Sequence, residues 1–406
     1  MELYSDPFPT SKHWVRFRSM RSSLHQTIAL YVAPQLYVAS ETGTFNGTFY
    51  EDIAGTLNLL YRLFTFSKCL KLEKHAMDLC HRKKGQIDVT EVHAVCFLYT
   101  SIFMFYVEYG KKVESLEFGV SVMHMMTNLT DLTTRQMLVM SMLKLLLADS
   151  RIEEVVTVMR ELFYMTDHYD LSSETWYYYF SIVILLDTGY CVESYETSER
   201  FYTKKGDAIL RSNTPESAWN FFVGMWLVTV RIEAWERSIM WEEKIKQLLF
   251  MKFERHEFNT MVLLRLVEGL LITLVREMDN RNVKKIVVLE KTVKNMFQDI
   301  KNAVAIAPIY RPRNYLLLAY FHFIRGKKLR GFSYLNKAST LAKRFGHAVL
   351  LTWTEHTRCH WKGTLNPVLE NYWAEHVVFD KVLDYREFDK NKNSIIPYTL
   401  PLPRDL

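Results

Sequence analysis

Hydrophobic residues recur along the chain with the spacing of amphipathic helices. From Ile152 to Phe163 the apolar residues fall at i, i+3, i+4, i+7, i+10 and i+11, and charged residues occupy the opposite face. That spacing is typical of a helix that buries one face. The stretch 35–214 contains no proline, so long uninterrupted helices are possible there.

An apolar residue followed by an acid recurs in even register along the chain. The pairs are Leu72-Glu73, Val113-Glu114, Ile152-Glu153, Val192-Glu193 and Ile232-Glu233. Successive pairs are separated by 41, 39, 40 and 40 residues. An acid is favoured in the first turn of a helix because it meets the positive end of the helix dipole. The register predicts an all-α fold, a tetratricopeptide-like α-solenoid of about seven stacked helix pairs with a period of roughly 40 residues.

The same pattern places the elements and divides the chain into three parts. We predict first helices at 48–66, 90–108, 132–148, 174–187, 215–230, 257–276 and 313–324, with one further helix at 348–361. The predicted divisions are an N-terminal capping extension at 1–46, a helical-repeat array at 47–362 and an irregular C-terminal tail at 363–406. The tail is assigned because three prolines and alternating Asn and Lys follow residue 389.

The pair of helices around Gly326 comes closest to tetratricopeptide spacing. Small residues at three of its positions allow two helices to approach closely, and larger residues fill the space between them. The predicted repeat-packing residues are Tyr315, Leu318 and Ala319 before the turn and Gly331, Leu335 and Ala338 after it.

Composition narrows the class of protein further. The 406 residues are 49% hydrophobic, which is enough for a large core, and the formal charge of +6 is spread along the chain. Protein partners are therefore expected rather than nucleic acid. No secretory signal or run of about 18 uncharged apolar residues is visible, so no membrane span is expected. Five cysteines, an odd number, suit reduced thiols and a cytoplasmic location.

No motif in the sequence assigns a reaction, so whether the chain is an enzyme stays open, and we predict no cofactor, metal or catalytic residue. Asp52, three residues before Gly55, superficially resembles a nucleotide-cyclase metal strand, but no second carboxylate follows on a hairpin. Two groups of possible zinc ligands lack the usual spacing. They are His75, Cys80, His81, His93 and Cys96, and His356, Cys359 and His360. Convergence of His75, His81 and His93 would be the sign of a novel enzyme site.

The densest aromatic run is Trp176-Tyr177-Tyr178-Tyr179-Phe180. On a helix its members point all round the axis, so we expect this helix to be buried on most sides. The alternative is an aromatic wall that binds peptides, as helical arrays often present on a concave face.

Two stretches, Thr175 to Glu196 and Gly331 to Trp361, resemble the C-terminal helical-repeat region of the soluble, bicarbonate-responsive adenylate cyclases, the type 10 class. The likeness covers roughly 48–361 and rests on packing residues. In that family the catalytic domains precede the repeat region, so no catalytic residue carries over to this chain. The resemblance implies a fragment, a short isoform or a paralogue without the enzyme.

That resemblance implies a non-catalytic regulatory or scaffolding protein of cyclic-AMP signalling, with a catalytic cyclase chain as a possible partner. The alternative is a general tetratricopeptide-like adaptor, unrelated to cyclases, that binds peptides or helices.

Overall fold

The computed structural model describes Lys74, Asp78 and residues 92–125, 132–166, 171–211, 215–250, 260–376, 383–384 and 395–404. The predicted N-terminal extension, the predicted helix at 48–66 and the pair Leu72-Glu73 lie outside the described residues. The chain divides into two compact units, 1–142 and 143–406, and the boundary falls within the helix that spans Leu132–Ala148.

The described residues are almost entirely helical, which confirms the all-α prediction. They form α1 (Val92–Tyr109), α2 (Lys112–Met125), α3 (Leu132–Ala148), α4 (Ile152–Thr166), α5 (Leu171–Thr188), α6 (Tyr195–Arg211), α7 (Pro215–Arg231), α8 (Trp235–Phe250), α9 (Thr260–Asp279), α10 (Val283–Ile306), α11 (Arg311–Ile324), α12 (Lys328–Arg344), α13 (Ala348–Trp361) and α14 (Pro367–His376). A 3₁₀ turn at Pro308–Tyr310 precedes α11. Two short strands, β1 (Tyr190–Cys191) and β2 (Leu383–Asp384), pair in parallel.

The helices lie close to their predicted positions. Helices α3 and α13 begin and end at the predicted residues, and α1, α5, α7, α9 and α11 agree within three residues at each end. The predicted irregular tail, in contrast, contains a further helix, α14. No helix among the described residues is both long and apolar enough to cross a bilayer.

Seven of the described helices end in the same way, with one residue in the left-handed conformation. These residues are Gly110, Ser150, Glu233, Arg281, Gly326, Gly346 and Gly363. The N–H of the residue after each donates to a carbonyl five positions back, as from Arg151 to Leu146 and from Ala234 to Thr229, at 2.8 to 3.0 Å. This is the Schellman closure, which satisfies carbonyls that a helix end leaves without partners.

The acids of the predicted register do not all occupy a first helical turn. Glu114 and Glu153 do, in α2 and α4. Glu233, however, is itself the left-handed residue that ends α7, with φ at 57°, and Glu193 lies in the turn before α6. For these two positions the assignment to a first turn was wrong: the regular spacing follows the turns between helices, and α6 and α8 begin two residues later.

In the unit 1–142, helix α1 packs against α2. Tyr99 of α1 stacks on Phe118 of α2, with ring centres 5.5 Å apart. The neighbouring Gly119 allows this approach, because a Cβ there would lie 2.6 Å from both Phe103 and Met142.

In the unit 143–406, successive first helices pack on one another. Helix α7 lies between α5 and α9, and α9 packs on α11. Each of these four helices also packs against the helix that follows it, and α13 packs on α11 and α12. The core of this unit is therefore a row of first helices, α5, α7, α9 and α11, with their second helices beside them.

The predicted repeat-packing residues lie in the α11–α12 hairpin. Ala319, Leu335 and Ala338 are fully buried, and Tyr315 and Leu318 are partly buried. A Cβ added at Gly331 would lie 3.2 Å from the carbonyl oxygen of Ala319. The small residues thus stand where the two helices approach closely.

The closest approach within the row of first helices involves Gly269 of α9, where an added Cβ would lie 2.4 Å from the ring of Trp226 on α7. We expect Gly269→Ala to destabilise the chain by about 1–3 kcal/mol in a urea unfolding titration, as overpacked cores do. Helix propensity acts the other way, favouring Ala by about 1 kcal/mol. In a Trp226→Phe background, which makes room, the same substitution should be neutral or stabilising. An equal gain in both backgrounds would contradict the close packing.

Candidate functional site

Five charged side chains are buried together within the row of first helices, with side-chain exposures between 0 and 7%. We call them the ionic cluster. Its members are Asp187 of α5, Arg231 of α7, Arg265 and Glu268 of α9, and Arg313 of α11. Each of the four helices contributes at least one member.

Hydrogen bonds and ion pairs connect all five members. Arg231 Nε donates to Glu268 Oε1 at 2.7 Å, and its Nη1 donates to the carbonyl oxygen of Leu186 at 2.6 Å. Asp187 accepts from Arg313 through Oδ1 and lies 3.4 Å from Arg265 Nη2 through Oδ2. Arg313 Nη1 lies 3.9 Å from Glu268 Oε2 and so links the two halves.

The ionic cluster holds three guanidinium groups against two carboxylates. Burial by itself would raise the pKa of Asp187, but the attraction of Arg313 and Arg265 outweighs it and holds this pKa below its ordinary value. Asp187 is therefore ionised at neutral pH. One positive charge remains without a carboxylate, and aromatic rings face the arginines.

Three rings surround the guanidinium of Arg231. Its central carbon lies 4.8 Å from the ring centre of Tyr398, 4.9 Å from that of Trp373 and 5.5 Å from that of Trp353. The negative faces of aromatic rings attract a cation, and Trp is the most effective of them. Arg231 thus joins the ionic cluster to residues of α13, α14 and the chain terminus.

The last described residues, 395–404, cross the ends of several helices without forming a helix or strand. We call them the C-terminal segment. Five of them are buried: Ile395, Pro397, Tyr398, Leu400 and Pro403. Ile395 lies in one apolar cluster with Ile152, Tyr190 and Val349. The segment is therefore part of the packed structure.

Side chains of the array bind the main chain of this segment. Trp353 Nε1 donates to the carbonyl oxygen of Tyr398 at 2.9 Å, and Trp373 Nε1 donates to that of Ile396 at 3.4 Å. The hydroxyl of Tyr320 donates to the carbonyl oxygen of Pro401. We call these three donors, with His356 and Asp279, the docking site.

Contacts at each end fix the position of the C-terminal segment. The N–H of Ile396 donates to the carbonyl oxygen of Thr188 at 2.9 Å, and the N–H of Arg404 donates to Asp279 Oδ1 at 2.9 Å. Gly189 lies under the first of these contacts with φ at 79°, and a Cβ there would stand 3.0 Å from the carbonyl oxygen of Ile396. Glycine is thus required both by backbone conformation and by space.

A buried histidine meets the middle of the segment. Nε2 of His356 lies 2.8 Å from the hydroxyl of Thr399, which is also 3.5 Å from the carbonyl oxygen of Leu369. Burial, with a smaller contribution from His360, lowers the pKa of His356 to about 4. His356 is therefore neutral at physiological pH, and it contacts the C-terminal segment in this uncharged form.

The candidates from the sequence occupy structural positions. Among the described residues no three His, Cys, Asp or Glu side chains form a group able to hold a metal ion. His356 contacts the C-terminal segment, and Nδ1 of His360 lies 3.1 Å from a carboxylate oxygen of Glu370. Asp52, His75, Cys80 and His81 lie outside the described residues. The side chain of His93 does too, and Cys96 is buried in α1.

The aromatic run on α5 belongs to the core, as expected for a helix that is buried on most sides. Trp176, Tyr177, Tyr179 and Phe180 are buried and Tyr178 is half-buried. The aromatic surface that does bind an extended chain lies on α11, α13 and α14. It was missed because Trp373 and the segment that it binds lie in the stretch 363–406, which was predicted to be an irregular tail.

The ionic cluster was also missed, although one signal was present. Asp187 follows Ile182-Val-Ile-Leu-Leu186, and Arg265 and Glu268 stand among apolar residues of α9. A charge within an apolar helix is costly to bury without a partner. The sequence alone could therefore have predicted that these buried charges pair with one another, but it could not have shown which residue pairs with which.

No family model, curated protein or solved structure matches this chain. The arrangement of the described residues therefore carries the functional argument.

Removing the charge of Asp187 should destabilise the fold strongly, because Arg313 and Arg265 would stay buried without their carboxylate. We expect Asp187→Asn to lower the free energy of unfolding by about 3–5 kcal/mol, measured by urea titration at neutral pH. Glu242→Gln is the matched control: it breaks an exposed pair with Lys246 at 2.6 Å and should change stability by less than about 1 kcal/mol. Equal effects would argue against the ionic cluster.

The low pKa of His356 makes stability fall in mild acid. The neutral ring contributes fully to the free energy of unfolding above the pKa of about 6.5 that histidine has in the unfolded chain. This contribution is lost as the pH falls towards about 4, the pKa of His356 in the folded chain. Between pH 7.5 and pH 5 the loss should be roughly 2 kcal/mol. We expect His356→Gln, which keeps a donor but does not titrate, to reduce the pH dependence of the unfolding free energy by that amount.

The control for this measurement is His124→Gln, at an exposed position on α2. It should leave the pH dependence unchanged. If both variants follow the wild-type curve, His356 does not titrate as its burial implies.

Proposed function

We propose that this chain is a non-catalytic helical-repeat protein that binds extended segments of other proteins. The observation that carries the proposal is the docking site, where side chains of three helices donate hydrogen bonds to carbonyl groups of an extended chain. Hydrogen bonds to main-chain groups, together with pockets for side chains, are one of the recurring ways in which protein surfaces bind extended peptides.

We further propose a tetratricopeptide-like α-solenoid of about seven helix pairs as the architecture. Left-handed residues that end first helices recur at positions 110, 150, 189, 233, 281 and 326, at intervals of 39 to 48 residues. Stacking of α5, α7, α9 and α11 in the unit 143–406 supports such an array. The longest interval, 48 residues, lies between positions 233 and 281, and the next, 45 residues, contains α10 with its 24 residues.

The more specific form of the proposal is a regulatory or scaffolding role in cyclic-AMP signalling in the cytoplasm. It rests on the resemblance of Thr175 to Glu196 and Gly331 to Trp361 to the repeat region of the soluble adenylate cyclases. In that form a catalytic cyclase chain is among the partners. The general adaptor is the second candidate, and the docking site favours it equally because peptide binding needs no cyclase.

Co-purification of the tagged full chain from its native cells, with a cyclic-AMP assay on the eluate, tests both forms. We expect protein partners in amounts comparable to the chain. Recovered cyclase activity supports the signalling role, and a partner set without a cyclase leaves the general adaptor. Recovery of the chain alone, also after cross-linking, would contradict an interaction function.

Asp187→Asn provides the control for this experiment. It weakens the fold without touching the surface, because Asp187 is buried. Partners that recognise the folded array should decrease with this variant, whereas chaperones that bind unfolded chain should increase.

A further inference from the structure

The C-terminal segment has the composition of a proline-rich ligand. Pro397, Pro401 and Pro403 fix φ near the value of an extended left-handed helix and remove three N–H groups that would otherwise need partners. The docking site supplies only donors to the main chain of the central part of this segment: the indoles of Trp353 and Trp373 and the hydroxyl of Tyr320. Aromatic side chains that donate to carbonyls of a proline-rich chain are the recognised mode of binding such peptides.

Side-chain contacts add selectivity at two positions. The ring of Tyr398 meets Trp373 edge-on at 5.4 Å between centres and faces the guanidinium of Arg231 at 4.8 Å. The hydroxyl of Thr399 meets His356. The side chains of Ile396 and Leu402 are only partly buried, so these positions impose less on sequence. The docking site therefore fits an extended chain in which an aromatic residue directly follows one proline. Two further prolines stand three and five residues after that aromatic residue.

We propose, building on the interaction function above, that the C-terminal segment is an intramolecular ligand and that a proline-rich segment of a partner protein takes its place. The pattern that the partner shares with this chain is Pro397, Tyr398, Pro401 and Pro403. Binding of the partner exposes residues 395–404, and the unliganded chain keeps its aromatic docking site covered.

Covalent connection sets the strength of the competition. The segment begins 11 residues after β2 ends at Asp384, and a ligand tethered by a short linker acts at an effective concentration on the order of millimolar. A partner segment of equal intrinsic affinity would displace it only near that concentration. Weakly binding peptides therefore hardly occupy the docking site of the intact chain, and cutting the tether makes the site accessible to them.

The test uses the full chain with a protease recognition sequence inserted between Asn391 and Lys392. A fluorescein-labelled synthetic peptide covering 395–406 is titrated into the cut and uncut protein, and anisotropy reports binding. The cut protein should bind with a dissociation constant at least about tenfold lower than the uncut protein, because its own segment then competes only at the protein concentration. Equal binding, or none to either form, would overturn the proposal.

Two further peptides test the chemistry of the partner. One keeps Pro397, Tyr398, Pro401 and Pro403 and replaces the other residues by Ala or Ser; the other is a scrambled version of 395–406. The first should bind the cut protein within about tenfold of the natural sequence, and the second should not bind. A patterned peptide that binds no better than the scrambled one would overturn the assignment of proline-rich partners.

Should the cut protein lose its helical circular dichroism, the full chain carrying Tyr398→Ala replaces it. Its own segment loses the ring that contacts Arg231 and Trp373, so the labelled peptide should bind it more tightly than wild type, and equal binding overturns the proposal. Concentration-dependent dimers of the intact chain in light scattering, lost with Tyr398→Ala, would instead identify a second copy as the occupant.

These results separate this proposal from the broader one. Suppose that the cut protein does not exchange peptide and that the same partners co-purify with Tyr398→Ala as with the wild type. The interaction function would then stand, and the partners would bind another surface. Peptide exchange without any recovered partner would contradict the interaction function and the proline-rich partner with it, and would leave only the intramolecular ligand.

Discussion

The fold of the unit 143–406 depends on charges that cannot be buried alone. Asp187 and Glu268 are taken out of water by the same helices that bring their arginines, and a buried carboxylate without its partner is strongly destabilising. Each of α5, α7, α9 and α11 carries part of the ionic cluster, so no helix can be displaced without leaving a charge unpaired. Apolar side chains could fill the same space, but removing any one of these charges leaves its partners buried and unpaired.

Arg231 extends this constraint to the chain terminus. Nε and Nη2 contact Glu268, and Nη1 donates to the last turn of α5. The guanidinium also lies against Trp353, Trp373 and Tyr398. A single side chain at the end of α7 therefore contacts both the ionic cluster and the surface that holds the C-terminal segment.

Helix positions could be predicted from the sequence, because burial of one face imposes the 3.6-residue period and the apolar–acid pairs recur at the turns between helices. The bounds of α3 and α13 follow from these two signals. Glu233 shows their limit: an acid near a helix start was assigned to the helix dipole, although its backbone forms the turn. The ionic cluster could not be assigned, since Asp187 and Arg313 are 126 residues apart in sequence and only the stacking of helices brings them together.

The C-terminal segment shows why an irregular sequence can still be specific. Its prolines rule out a helix there and support the interpretation as an irregular tail, but they also lower the conformational entropy lost when an extended chain is bound. Without the segment, the rings of Trp353, Trp373 and Tyr320 would form an exposed aromatic surface beside a buried cation, and exposed apolar patches of this kind mark binding sites. A simple cap over this surface would need only apolar contacts. Hydrogen bonds to three main-chain carbonyls instead select for the backbone conformation of an extended chain, as a site for proline-rich ligands would.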